Sequence, residues 1–167
     1  DAMAEKLRSL AFHGKGETQY DNIYVGLNSR LDTIQAAILL EKLSILESEM
    51  EAREAVARLY NQTLSRSVKV PTLVQGHRSA WAQYAIESDR RDDLRQHLQR
   101  QGIPTVIYYV KPLHLQPAYD AYPRTPTGLA VSEKLPSTIL CLPMHPYLSP
   151  EDQSRIVDAI RSFHTNG

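Results

Sequence analysis

Apolar residues recur at helical spacing before residue 65 and in short alternating runs, separated by further helical stretches, after it. Behind Asp1, a suitable N-cap, Ala4, Leu7, Leu10 and Ala11 repeat until Gly14 stops the pattern, which predicts an amphipathic helix ending near His13. Residues 14–29, "GKGETQYDNIYVGLNS", have no steady period and read as an ordered loop with a short extended piece at Ile23 to Val25. Helical spacing resumes at Leu31 and runs to about Leu64 through Ile34, Ile38, Leu39, Leu43, Leu46, Met50, Ala57 and Leu59. Up to Leu46 the apolar positions cover much of the circumference, which predicts burial on several sides, as at a domain or subunit interface. The next stretch, "ESEMEAREAVARLY", has a narrower stripe and is expected on a surface. So long a span predicts a bend near Leu46 to Ser48.

Beyond Ser65, "SVKVPTLV" and "SAWAQYAIES" read as strands, with Trp81, Tyr84 and Ile86 as bulky members. "RRDDLRQHLQRQG" is a helix with Leu94 and Leu98 on one face and Gly102 at its stop. "IPTVIYYVKPLH" reads as a strand that breaks at Pro112, and "GLAVSEKLPSTILCLPMHP" as a short helix followed by a strand at Ile139 to Leu142. In "SPEDQSRIVDAIRSFH", Ser149 caps a helix with Pro150 at its first position and two acids suited to its dipole. This irregular alternation predicts an α+β domain of about a hundred residues.

Composition narrows the function classes. Nineteen Lys plus Arg balance nineteen Asp plus Glu in 167 residues, which argues against nucleic acid as a partner, since phosphate neutralisation supplies most of that affinity. One cysteine, Cys141, with no secretory signal and no long apolar span, points to a cytoplasmic protein without a membrane segment. The opening "DAMAEKLRSLAFHG" reads as a helix entered from something upstream.

Three blocks in order, "FHGKGETQYDNIYVGLNSRLDTIQAAILLEKL", "YYVKPLHLQPAY" and "LPMHPYLSPED", resemble the C-terminal half of the DegT/StrS-type sugar aminotransferases. The resemblance implies an α/β, aspartate aminotransferase-like (fold type I) enzyme that uses pyridoxal 5'-phosphate. Residues 1–45 would then be the tail of the large cofactor-binding domain, 46–64 a linking helix, and 65–167 the small α+β domain. It also implies that the Schiff-base lysine lies upstream of Asp1. A physical check agrees: such a lysine must be partly desolvated to attack a carbonyl, and Lys6, Lys15, Lys42, Lys69, Lys111 and Lys134 all sit in charged, loop-like or surface-helix contexts.

The same resemblance places Asn28 across a dimer interface, toward the phosphate of the partner subunit's cofactor. An amide suits that task because it donates without adding a buried charge, and a following helix start adds its positive end. The alternative is that Asn28 merely caps the helix. Arg30 offers a planar fork for a carboxylate or diphosphate and is a candidate for substrate recognition; the alternative is a surface pair with Asp32 or Glu41. Tyr108, Tyr109 and His114, with Lys111, match a family loop over the sugar. Tyr108 departs from the usual His there, and a strand face plus a solvated loop is the competing reading. His13, Gly14 and Tyr20 are expected to shape the loop near the partner's site.

Other signals are weaker. Cys141 and His145 suggest a thiol and base, but "TILCLPM" is an apolar run that favours a buried strand. "HGKGE" lacks the phosphate-loop pattern, Asp92 and Asp93 suit a helix start, and the six histidines lack metal-ligand spacing, so no metal is expected.

The leading expectation is the C-terminal part of an aminotransferase acting on a nucleotide-linked keto sugar, with glutamate as amino donor, in a homodimer with shared active sites. Arg30 and "NSRLDTIQAAIL" favour a UDP-linked N-acetyl-3-keto-uronate, used for surface polysaccharide or glycoconjugate synthesis. Alone, these residues should not catalyse. A sugar dehydratase-like relative and a non-enzymatic domain using the apolar helix at 31–46 for dimerisation or partner binding are the alternatives.

Overall fold

The computed structural model describes residues 1–18 and 20–165. The chain divides into two compact units, Asp1–Leu46 and Glu47–Gly167.

In the first unit, helix α1 spans Ala2–Ala11 and is capped by Asp1, whose carboxylate accepts from the Met3 N–H at 3.0 Å. Phe12 is its C-cap, just before the expected end near His13. The loop that follows folds back on α1. Phe12 pairs with Asn28 and Lys15 with Asn22 in single antiparallel bridges, and the Leu27 and Ser29 N–H groups donate to Leu10 and Ala11 carbonyls at 2.8 and 2.9 Å. Positive φ at His13 and Gly14 makes the reversal. Helix α2, Thr33–Ser44, is capped by Asp32, which accepts from Ile34 N–H at 3.0 Å. The expected burial of this helix is not met within the chain: Ile34, Ile38, Leu40 and Leu43 are all more than half exposed.

The helical span breaks at Ile45, slightly ahead of the expected bend, and continues as α3, Leu46–Leu64. In the second unit the core gathers around the last turns of α3. As expected, α3 lies on a surface, with most of its residues exposed or half-exposed, and its narrow apolar stripe buries Val56, Ala57, Tyr60 and Leu64. Strands β1, Tyr84–Glu87, and β2, Ile139–Leu142, pair antiparallel with Tyr84 opposite Leu142 and Glu87 opposite Ile139. Helix α4, Arg91–Arg100, and helix α6, Pro150–Thr165, pack against each other and supply Leu94, Leu98, Ile156 and Ile160 to the core. Helix α5, Ala130–Thr138, runs directly into β2. Ser149 Oγ accepts from the Asp152 N–H at 3.1 Å, the cap expected for α6.

Two expected strands contract to single bridges. "SVKVPTLV" touches the sheet at Lys69 opposite Glu87, and "IPTVIYYVKPLH" at Val106 opposite Cys141. Pro71, Pro104 and Pro112 explain the brevity, because each removes an N–H that a longer ladder would use. Pro112 instead opens a 3-10 turn, Leu113–Leu115, and a second follows at Pro117–Tyr119.

Candidate functional site

The expected site residues fall into two clusters, one in each unit. In the first unit, Gly14 and Gly26 meet backbone to backbone: a Cβ on Gly26 would lie 2.0 Å from the Gly14 nitrogen. That approach closes the loop and brings Asn28 beside Phe12. The Asn28 side-chain amide oxygen, Oδ1, accepts from Arg30 Nε at 3.0 Å, and the Arg30 guanidinium lies over the Phe12 ring, 4.6 Å from its centroid. Lys15 Nζ lies 5.5 Å from the same ring centroid. The helix-capping reading of Asn28 is contradicted, since Asp32 holds that position. Arg30 turns toward Asn28 and Phe12 instead of forming the surface pair with Asp32 or Glu41. With Nε and the Asn28 oxygen engaged, the Asn28 NH₂ and the two terminal guanidinium nitrogens have no protein partner among the described residues, an arrangement of donors suited to an anion.

In the second unit, Tyr108, Tyr109, Lys111 and His114 line one cavity of about 540 Å³, with Leu135 and Pro136 of α5 on its other wall. The two tyrosine rings are 5.4 Å apart and tilted by 52°. His114 is not a solvated loop residue: its side chain is 14% exposed, and Nε2–H donates to the Glu133 carboxylate at 3.1 Å. A mainly apolar lining with a few polar side chains suits a ligand such as a sugar, whose ring faces are apolar and whose edge bears hydroxyls.

Sequence reasoning missed Phe12, Lys15 and Glu133. Phe12 sits beside His13 in the block "FHGKGETQYDN", whereas nothing in the sequence relates Glu133 to His114. Cys141 is buried in β2 at 6% exposure, and burial pushes its thiol pKa up, although a backbone hydrogen bond at Tyr108 opposes the shift. It is a strand residue, not a nucleophile. No group of three potential metal ligands occurs among the described residues, and no described helix is long and apolar enough to cross a membrane. All six lysines are exposed or half-exposed within this chain.

The model of the DegT/DnrJ/EryC1/StrS aminotransferase family matches residues 1–161. A crystal structure of a DegT DnrJ EryC1 StrS aminotransferase from Brucella abortus is similar over 98% of this chain and 44% of that one, with 66% identity and a TM-score of 0.91. UDP-2-acetamido-2-deoxy-3-oxo-D-glucuronate aminotransferase of Pseudomonas aeruginosa is 40% identical over 150 residues, 89% of this chain and 40% of that protein. The structure of ntda from Bacillus subtilis with bound cofactor PMP matches 93% of this chain and 38% of that one at 27% identity, with a TM-score of 0.78. The fold is thus part of the fold type I α/β aminotransferase architecture, and the chain spans less than half the length of the curated relatives it matches.

Proposed function

Because the chain belongs to the DegT/DnrJ/EryC1/StrS aminotransferase family, whose enzymes depend on pyridoxal 5'-phosphate, we propose that it is the C-terminal part of an enzyme that aminates a nucleotide-linked keto sugar. The single observation that carries the reading is the Asn28–Arg30 pair on the glycine-closed loop, a preorganised set of donors beside an aromatic ring. Those donors fit the phosphate of the cofactor and an anionic group of a substrate. The lysines of this chain do not fit the Schiff base, so that residue is assigned to a part of the protein outside these 167 residues. When bound, the cofactor would supply a carrier that takes the amino group from the donor and passes it to the ketone, and an electron sink for the proton transfers between.

The chain's own residues hold and orient. Asn28 donates to the cofactor phosphate of the partner subunit in a homodimer with shared active sites, and Arg30 receives the substrate's anionic group. Tyr108, Tyr109 and His114 cover the sugar. The exposed apolar face of α2 supports the dimer, because Ile34 at 73% and Ile38 at 59% exposure are costly to leave in water. The substrate favoured is a UDP-linked N-acetyl-3-keto-uronate, with glutamate as donor, in surface polysaccharide or glycoconjugate synthesis and in the cytoplasm. Arg30 and the name of the Pseudomonas aeruginosa relative support that choice.

The test uses the full natural protein. After pyridoxal phosphate and borohydride, its intact mass should show one pyridoxyl group per chain; no adduct overturns the aminotransferase reading. Asn28→Ala should weaken cofactor affinity about tenfold, the order of one charge-assisted hydrogen bond. Unaltered affinity removes Asn28 from the phosphate site.

A further inference from the structure

The cavity in the second unit contains a contact that the proposed function does not use. The loop from Tyr108 to Gln116 forms one wall and α5 the other, and among the described residues the His114–Glu133 hydrogen bond is the one side-chain bond joining them. Glu133 lies in the first turn of α5, next to Ser132, which lines the cavity. The geometry points to Glu133 as a positioning residue for His114, an inference that rests on the reading of this cavity as the sugar site.

A carboxylate can only accept, so the pair fixes a proton on Nε2 of the imidazole. That leaves Nδ1 as the ring nitrogen for a ligand. In the neutral ring it accepts from a sugar hydroxyl; in the charged ring it donates to a carboxylate oxygen. The two partners differ in exposure, with the His114 side chain at 14% and Glu133 at 51%. The ring is therefore held by its surroundings, while the carboxylate stays in contact with water. A histidine without such a partner would exchange tautomers and rotamers and lose part of its affinity to ordering on binding. Glu133 acts on ligand binding through the ring it holds and makes no contact with substrate in this scheme. A clip that only joins loop to helix would stabilise the loop without selecting a tautomer.

The experiment uses the full-length enzyme with Glu133→Ala, Glu133→Gln, His114→Ala and the Glu133→Ala/His114→Ala double variant. KM and kcat are measured for UDP-linked N-acetyl-3-keto-uronate and for glutamate. Glu133→Ala should raise the sugar KM about tenfold and leave the glutamate KM unchanged, the order expected for one ordered charge-assisted hydrogen bond. Glu133→Gln, which keeps an acceptor, should restore the sugar KM to within about threefold. In the His114→Ala background Glu133→Ala should add nothing. Equal effects in both backgrounds, or parallel loss for both substrates, overturn the inference. If the wild-type enzyme does not turn over this sugar, the substrate reading fails by itself. Glu133 is then decided by nitrogen-15 spectra of the histidine rings: Glu133→Ala should shift His114 from a ring protonated at Nε2 to a tautomer mixture, and an unchanged spectrum overturns the assignment.

Discussion

Replacing Gly26 by Ala tests how the loop carries Asn28. A methyl group there would lie 2.0 Å from the Gly14 nitrogen and 2.4 Å from the His13 carbonyl carbon. Both obstacles are backbone, so neither can swing aside as a side-chain tip would. The loop must open instead. Opening it breaks the hydrogen bonds from His13 N–H to Leu27 C=O at 2.8 Å, Leu27 N–H to Leu10 C=O at 2.8 Å and Ser29 N–H to Ala11 C=O at 2.9 Å. At about 1 kcal/mol each, the loop loses about 3 kcal/mol of protection. Hydrogen exchange at these amides should therefore quicken by roughly a hundredfold. Asn28 pairs with Phe12 in the same ladder, so its amide moves with the loop and cofactor affinity should fall as well. Exchange mass spectrometry over the peptides of residues 10–30 of the full-length protein, with a pyridoxal phosphate titration, reads both. Unchanged exchange would refute the close glycine packing, and quickened exchange with intact affinity would refute the link from loop closure to phosphate binding.

Three further outcomes are expected. Phe12→Leu keeps an apolar side chain but removes the ring face under Arg30, so the KM for an anionic nucleotide sugar should rise about two- to fivefold, with Phe12→Tyr restoring it; no change would mean that Arg30 is held by Asn28 alone. Cys141, buried and with its thiol pushed up, should resist alkylation at about pH 8 until the fold opens, as peptide mapping of the labelled protein would show; rapid labelling of the native state would contradict its burial. His164 titrates below its ordinary value of 6.5, chiefly because burial and then the Arg90 guanidinium disfavour its charged form. The native state thus binds fewer protons there than the unfolded chain, so stability falls as pH drops through that value. His164→Gln should flatten the loss between about pH 7 and pH 5, and an unchanged slope would refute the assignment.

Elements with local causes were legible from the chain itself. Asp1 caps α1, Gly102 adopts positive φ after α4, Ser149 caps α6, and α5 passes into β2 at the place the pattern marked. Each depends on residues within a turn or two, where side-chain period and cap chemistry decide the backbone. The family followed from three ordered blocks, and the grouping of Tyr108 and Tyr109 with His114 from proximity along one loop.

Only the tertiary structure decided the rest. Alternating residues at 67–74 and 103–112 have strand character, yet how far they pair depends on the neighbours available and on prolines that withhold N–H groups; each is left with one bridge. Whether Asn28 or Asp32 caps α2 is a choice between two good caps, made by the loop that Gly14 and Gly26 close. The narrow apolar stripe of α3 found its partner only in the fold, where Tyr60 meets Tyr84, at 5.0 Å between ring centroids, across a long interval of sequence. Glu133 reaches His114 for the same reason. Periodicity reports which side of an element is apolar, but not which distant residue will stand opposite it, as Phe12 stands under Arg30 and Glu133 beside His114.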